Sequence, residues 1–148
     1  MTYQITEMTA KDYDEAYSLW QHCAGIGLSD ADERCAITRF LKHNPGLCFV
    51  ARKENTLVGT CLCGSDGRRG YLYHLAVDPA ARRQGIGKDL VEHSFETLMK
   101  GNIHKCHIMV YGNNELGLAF WKQSGWKLRP EIVIMSYDLE VPKKDTPC

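Results

Sequence analysis

Apolar and polar positions along this chain recur with two periods, and the switches between them predict its elements. Residues 3–8 read as a first strand. Thr9 stands where an N-cap would, and Tyr13, Ala16, Tyr17 and Trp20 follow at i, i+3, i+4 and i+7, the apolar stripe of a helix. Residues 25–28 break that pattern. Ser29 can cap a second helix, with Asp30, Asp32 and Glu33 in its first turn, where negative charge suits the dipole. Ile37, Phe40 and Leu41 give it a buried side, and Asn44-Pro45-Gly46 stops it. Residues 47–53 and 57–65 form a hairpin around a Glu-Asn turn, and after a second turn at residues 66–70 a third strand covers 71–77.

Beyond residues 78–79 the period changes again. Ile86, Leu90, Val91, Phe95 and Leu98 make one wide apolar face on a helix over residues 85–100. A strand at 106–111, a loop at 112–114 and a short helix at 115–124 closed by Gly125 come next. Two final strands, 126–129 and 132–139, complete the order β-α-α-β-β-β-α-β-α-β-β. That order calls for an α/β fold: a mixed, mostly antiparallel sheet with helices on both faces and one parallel, right-handed βαβ crossover.

With 148 residues the chain reads as a single domain over 1–148, with a polar tail at 142–148 expected to be loose. Net charge is 0, so no global field favours nucleic acid or an anionic membrane, and neither is expected as a partner. There are 7 cysteines and no Cys-x-x-Cys; Cys61 and Cys63 share one strand face and read as core. No metal is expected, His104 and His107 included, since neither has a cysteine partner at ligand spacing. The absence of a signal pattern or a long apolar run, together with many unpaired thiols, points to the cytoplasm.

The chemistry concentrates at residues 72–88. A strand enters a tight loop, Arg82-Arg83-Gln84-Gly85-Ile86-Gly87-Lys88, which opens a helix. Glycines let the backbone bend and a ligand approach, and free N–H groups at a helix start favour an anion. Arg82, Arg83 and Lys88 add positive charge, so the loop suits a phosphate or pyrophosphate. A P-loop is excluded because Asp89 follows Gly87-Lys88, and a Rossmann fingerprint because Leu90 stands where its third glycine belongs.

The segment Arg82-Arg83-Gln84-Gly85-Ile86-Gly87 resembles the (Gln/Arg)-x-x-Gly-x-(Gly/Ala) signature of the GNAT N-acetyltransferases. Leu75-Ala76-Val77-Asp78-Pro79 precedes it at that family's spacing. Asn114-x-x-Gly117-x-x-x-Trp121-x-x-x-Gly125-Trp126 is similar to the family's second motif, and the element order agrees along the chain. The resemblance implies a sheet that splays at the crossover, with acetyl-CoA as co-substrate in the gap. It implies that Leu75, Ala76 and Val77 bind the pantetheine arm through the main chain. It further implies that Arg82 to Lys88, with Gln84, Gly85, Ile86 and Gly87 between, hold the pyrophosphate, and that Asn114 and Trp121 flank the cofactor.

The implied reaction is transfer of an acetyl group to a primary amine, borne by a small molecule or a peptide, by direct attack on the thioester. The family usually has a tyrosine acid where this chain has Trp121, and an indole N–H is no proton source. Tyr111 and Tyr73 are the substitutes, each also readable as packing. His74 is the leading candidate base, ahead of Asp66 and Glu33. The Trp at 121 also leaves open a different class of function, a non-catalytic acyl-CoA-binding sensor or scaffold. Arg68-Arg69 reads as a solvated turn, and the final strands as a surface through which two subunits could pair as a homodimer.

Overall fold

The computed structural model describes residues 2–142. The tail expected at 142–148 therefore lies outside the described residues, apart from Pro142. The strands are β1 (Gln4–Glu7), β2 (Phe49–Lys53), β3 (Thr56–Ser65), β4 (Gly70–Val77) and β5 (Cys106–Ile108). The helices are α1 (Tyr13–His22), α2 (Arg34–His43), α3 (Ile86–Lys100) and α4 (Glu115–Gln123). One sheet runs in the order β1-β2-β3-β4-β5, antiparallel as far as β4 and parallel between β4 and β5.

The sheet has a core on each face. Trp20 and Ile37, from α1 and α2, pack on Val50, Leu62 and Ala76. Ile86, Leu90, Leu98 and Trp121, from α3 and α4, pack on Ala51, Cys61, Cys63 and Leu72. Cys61 and Cys63 lie on the same face, with Leu62 on the other, as the period of two requires. Ser94 is buried within α3 but donates to the Leu47 carbonyl at 2.8 Å, so its hydroxyl is satisfied.

Local signals explain most element ends. Glu54 and Asn55 both have positive φ, 48° and 68°, the backbone that a two-residue hairpin with the strands' own twist needs. Thr9 caps as expected, in a reciprocal capping box with Asp12, but the turn it opens is a short 3₁₀ turn, Ala10–Asp12, that leads into α1. Ser29 and Asp32 form a second capping box on the turn Asp30–Asp32, and α2 starts only afterwards, at Arg34.

Two expectations about strands are corrected. β5 ends at Ile108 rather than at residue 111, because its ladder with β4 stops at Leu72 opposite Ile108. The final strands at 126–129 and 132–139 do not form. A strand exists only through a neighbour, and in the single chain this segment meets none. Among the described residues its one backbone bond beyond Trp126 is local, from the Ile132 N–H to the Arg129 carbonyl at 3.2 Å.

Candidate active site

The early end of the β5 ladder opens a gap in the sheet. β4 stays paired with β3 out to Ala76 and Val77, opposite Thr60 and Gly59, but past Leu72 it has no partner on its β5 side. Leu75, Ala76 and Val77 thus line a free strand edge. Gly87 borders the same space: a Cβ placed there would meet Phe120 Cζ at 3.6 Å, Val77 Cγ2 at 3.7 Å and Leu75 Cδ2 at 3.8 Å.

At the end of that edge the chain turns through Asp78, which accepts from the Ala80 N–H at 2.9 Å, and enters α3. Arg83 and Gly85 both take positive φ, 64° and 82°. Alternation of this kind turns successive N–H groups toward one side, the geometry of an anion nest. No side chain caps α3, and its first internal bond runs from the Asp89 N–H to the Gly85 carbonyl at 3.0 Å. The N–H groups of Ile86, Gly87 and Lys88 therefore leave the helix start without an acceptor inside it. A Cβ on Gly85 would meet only open space, so the loop's outer side is accessible.

The side chains of the loop divide their work. Ile86 is buried in the core, so only its main chain is available. Arg82 donates from Nε to the Val77 carbonyl at 3.1 Å, which ties the loop to the strand end. Gln84 accepts from Lys53. Arg83 and Lys88 are exposed. The residues present fit a pyrophosphate: uncapped N–H groups, a dipole end and free cations in one place.

His74 occupies a bulge in β4 with φ 46°, in the left-handed region that costs a side-chain-bearing residue about 1–3 kcal/mol. Its surroundings hold it there. The Thr60 hydroxyl donates to the His74 carbonyl at 2.8 Å, and Trp20 Nε1 donates to that hydroxyl at 2.9 Å. The indole and imidazole rings lie 4.7 Å apart. His74 Nε2 lies 2.5 Å from Asp32 Oδ1, while Asp32 Oδ2 accepts from the Ser29 N–H at 2.9 Å. The Tyr13 hydroxyl donates to the Asp32 carbonyl at 2.7 Å and fixes the same turn.

Asp32 is the residue that the sequence reading missed in this role, taking it as a helix-dipole partner in the first turn of a helix. The signal was present as Ser29-x-x-Asp32, a capping box, but nothing local says that the second carboxylate oxygen faces β4. The other two candidate bases stand elsewhere. Asp66 accepts from the N–H groups of Arg69 and Arg68, which hold its carboxyl below the usual range and make it a poorer base. Glu33 is exposed at the start of α2.

The two tyrosines separate. Tyr73 packs edge-on against Phe40 of α2, ring centroids 5.9 Å apart, and burial pushes its hydroxyl up from the usual value. Tyr111 lies past β5 and reaches across to the α1–α2 connection, where a Cβ on Gly27 would come within 2.2 Å of its hydroxyl. Asn114 makes a parallel contact: a Cβ on Gly25 would lie 2.6 Å from Nδ2, while Oδ1 caps α4 through the Gly117 N–H at 3.0 Å. Gly25 and Gly27 thus admit two side chains from the far wall, and the loop between α1 and α2 bridges the gap.

Trp121 is buried against Trp126 and Phe120, each at 5.0 Å between ring centroids. It faces the core, and Phe120 is the α4 ring that borders Gly87 at the gap. His104 bonds Asn102, and His107 stacks near Tyr71. Among the described residues no cluster of His, Cys, Asp and Glu is suited to a metal ion. No helix among them is long and apolar enough to cross a membrane.

Residues 12–126 match the model of the acetyltransferase (GNAT) family. This chain belongs to that family. An acetyltransferase of Yersinia pseudotuberculosis is 30% identical over 123 residues, 83% of this chain and 86% of that protein. An acetyltransferase of Sodalis glossinidius is 28% identical, over 84% of this chain and 87% of the other. The fold is shared with the PaiA N-acetyltransferase of Thermoplasma acidophilum, solved in complex with coenzyme A (TM-score 0.78, 18% identity, 87% of this chain and 92% of that one). It is shared as well with the ribosomal-protein-S18-alanine N-acetyltransferase of Escherichia coli (TM-score 0.68, 21% identity, 84% and 77%). The GNAT assignment agrees with the mixed sheet and its parallel β4–β5 pair.

Proposed function

We propose that this acetyltransferase uses acetyl-CoA and transfers the acetyl group to a primary amine by direct attack on the thioester. The observation that carries the reading is the continuity of the uncapped α3 start with the open edge of β4. The first suits a pyrophosphate and the second an extended, amide-bearing arm. The main-chain N–H groups from Arg83 to Lys88 hold the pyrophosphate, with Arg83 and Lys88 adding charge. Leu75, Ala76 and Val77 hold the arm, between walls that include Phe120 and Gly87. Acetyl-CoA supplies an activated acetyl group and a thiolate leaving group.

The chain's own residues handle the protons. With Asp32 Oδ1 accepting the proton that Nε2 of His74 carries, Nδ1 keeps the lone pair. That nitrogen takes a proton from the attacking amine, while the N–H near Leu75 steadies the charge on the thioester oxygen. Asp32 is a positioning residue, because it acts through His74. The Tyr111 hydroxyl is the donor to the departing thiolate. Named structural neighbours act on a ribosomal protein's alanine or on aminoglycosides, so the acceptor class is left at a primary amine. The rival reading, a sensor without turnover, leans on Trp121 standing where the family usually has a tyrosine acid, and the Tyr111 hydroxyl is the group that answers it.

The test is a thermal-shift titration with acetyl-CoA beside coenzyme A, ATP and NAD, followed by an amine screen that reads thiol release. A selective rise with the two CoA ligands and thiol release with an amine are expected. No shift at millimolar acetyl-CoA would overturn the pyrophosphate reading. Binding without thiol release across the amines would favour the sensor.

A further inference from the structure

β4 and β5 bury one face under α3 and leave the other only partly covered. Leu72, Cys106 and Ile108 pack in the core on the α3 side. By the period of two, Tyr71, Tyr73 and His107 stand on the opposite face, where α1 and α2 pack. Tyr73 meets Phe40 of α2. Tyr71 and His107 belong to neither core and are half-buried, their rings 5.7 Å apart. His74 follows Tyr73 and turns its ring to Trp20 and Asp32 on that same face. A strip of aromatic floor therefore leads from His74 back to the start of the two strands.

The two ends of the strip carry opposite charge. Beside His74 lies Asp32, and the turn that holds it also carries the exposed Asp30 and Glu33. At the far end Arg68 and Arg69 directly precede β4, and Lys105 directly precedes β5, where the Gly70 N–H donates to its carbonyl at 2.9 Å. The last turn of α2, which carries Lys42, is tied to the same place: Asn44 Oδ1 accepts from the Ser65 N–H at 3.0 Å. Among the described residues none of Lys42, Arg68, Arg69 and Lys105 has an ion-pair partner. Asp66 supplies a single opposing charge in that turn, and its Oδ1 is engaged by the N–H groups of Arg68 and Arg69.

We infer that the acceptor is a peptide N-terminus with acidic side chains about five residues into its chain. Its amine sits at His74 and its carboxylates at Arg68, Arg69 and Lys105. The inference rests on the acetyl-transfer reading above and narrows its substrate. From Gly70 to His74 four strand steps span ~13 Å, and an extended peptide covers that length in four steps of its own. The ammonium end of such a peptide meets Asp30, Asp32 and Glu33, and its acidic end meets the cations. That complementarity steers the peptide and fixes its direction along the strip. A polycationic amine is drawn to the first end and repelled from the second, so the same charges that admit an acidic peptide discriminate against it. The Tyr71 and His107 rings offer flat contact to the residues between.

Thiol release from acetyl-CoA tests it, with three heptapeptides that have free N-termini and differ only in carrying Glu, Gln or Lys at positions four to six. The wild type is expected to use the Glu peptide with a kcat/KM about tenfold above that of the Gln peptide, with the Lys peptide lower still. That ratio is expected to vanish near 1 M salt, where the screening length is about 3 Å. In the double variant Arg68→Glu, Arg69→Glu the Glu-to-Gln ratio is expected to fall to about one or below. The turn's bonds to Asp66 come from main-chain N–H groups, so the substitutions keep them. Equal use of the Glu and Gln peptides, a preference for Lys, or a ratio unchanged in the variant would overturn this inference and leave acetyl transfer standing. Thiol release with small amines but with none of the peptides would overturn it as well. If no amine of either kind releases thiol while acetyl-CoA binds, the acetyl-transfer reading itself fails and this inference falls with it.

Discussion

Thr60 is fully buried, and its hydroxyl donates to the His74 carbonyl at 2.8 Å while accepting from Trp20 Nε1 at 2.9 Å. Replacement by the nearly isosteric valine leaves a buried donor and a buried acceptor unpaired. Each orphan costs about 1–3 kcal/mol, so urea unfolding of Thr60→Val is expected to show a loss of about 2–4 kcal/mol. Thr60→Ser keeps both bonds and is expected to lose far less. His74 is fastened by that chain through its carbonyl, a bond that His74→Gln leaves in place. His74→Gln is therefore expected to lower turnover by about 10²-fold with a small change in unfolding midpoint. Asp32→Asn is expected to lower kcat and to change the shape of the pH–rate profile, with the KM for acetyl-CoA held. A profile unchanged in both variants would remove this pair from the chemistry.

The start of α3 and the loop between α1 and α2 each depend on glycine for a different reason. Gly85 needs its φ of 82°, and an added Cβ would meet no atom, so Gly85→Ala isolates the conformational cost. About 1–2 kcal/mol of stability is expected to be lost, with a raised KM for acetyl-CoA, because the N–H nest is disturbed. Gly27 is a matter of space: a Cβ would come within 2.2 Å of the Tyr111 hydroxyl, the far end of a side chain that can swing away. Gly27→Ala is thus expected to change stability little and to lower turnover as much as Tyr111→Phe does. Because both act on one hydroxyl, the double variant is expected to be no worse than either single one. Additive losses in thiol-release kinetics would show that Gly27 acts otherwise.

At the scale of the whole molecule the buried thiols set an alkaline limit. Burial pushes Cys48 up to about 11 and Cys61 up to about 12, against an ordinary thiol value of 9.0. Between those values the unfolded chain releases a proton that the folded chain retains. Stability is therefore complete below about pH 9 and falls as pH rises toward 11–12. The urea midpoint is expected to drop between pH 8.5 and 10.5, and Cys61→Ala to flatten that slope even though the substitution lowers the midpoint at every pH. An equal slope in the variant would assign the alkaline loss to other groups.

Much of this was legible in order along the chain. The caps at Thr9 and Ser29, the Glu54-Asn55 turn, the glycines before α3 and the periods of the strands and helices act within a few residues, so composition and spacing suffice to read them. The pyrophosphate loop was legible for the same reason, since a helix start and its N–H groups are local. What joins distant segments was decided by the tertiary structure alone. Asp32 meets His74 across 42 positions because the α1–α2 turn lands on the bulge of β4. Trp121 turns to the core and Phe120 to the gap because α4 lies with one particular face on the sheet. The strand pattern of residues 132–141 is as plain as that of β3, yet it forms no strand in the single chain. A period of two states which face a segment would bury, but burial and backbone pairing need a neighbour, and only the folded molecule shows whether one is within reach.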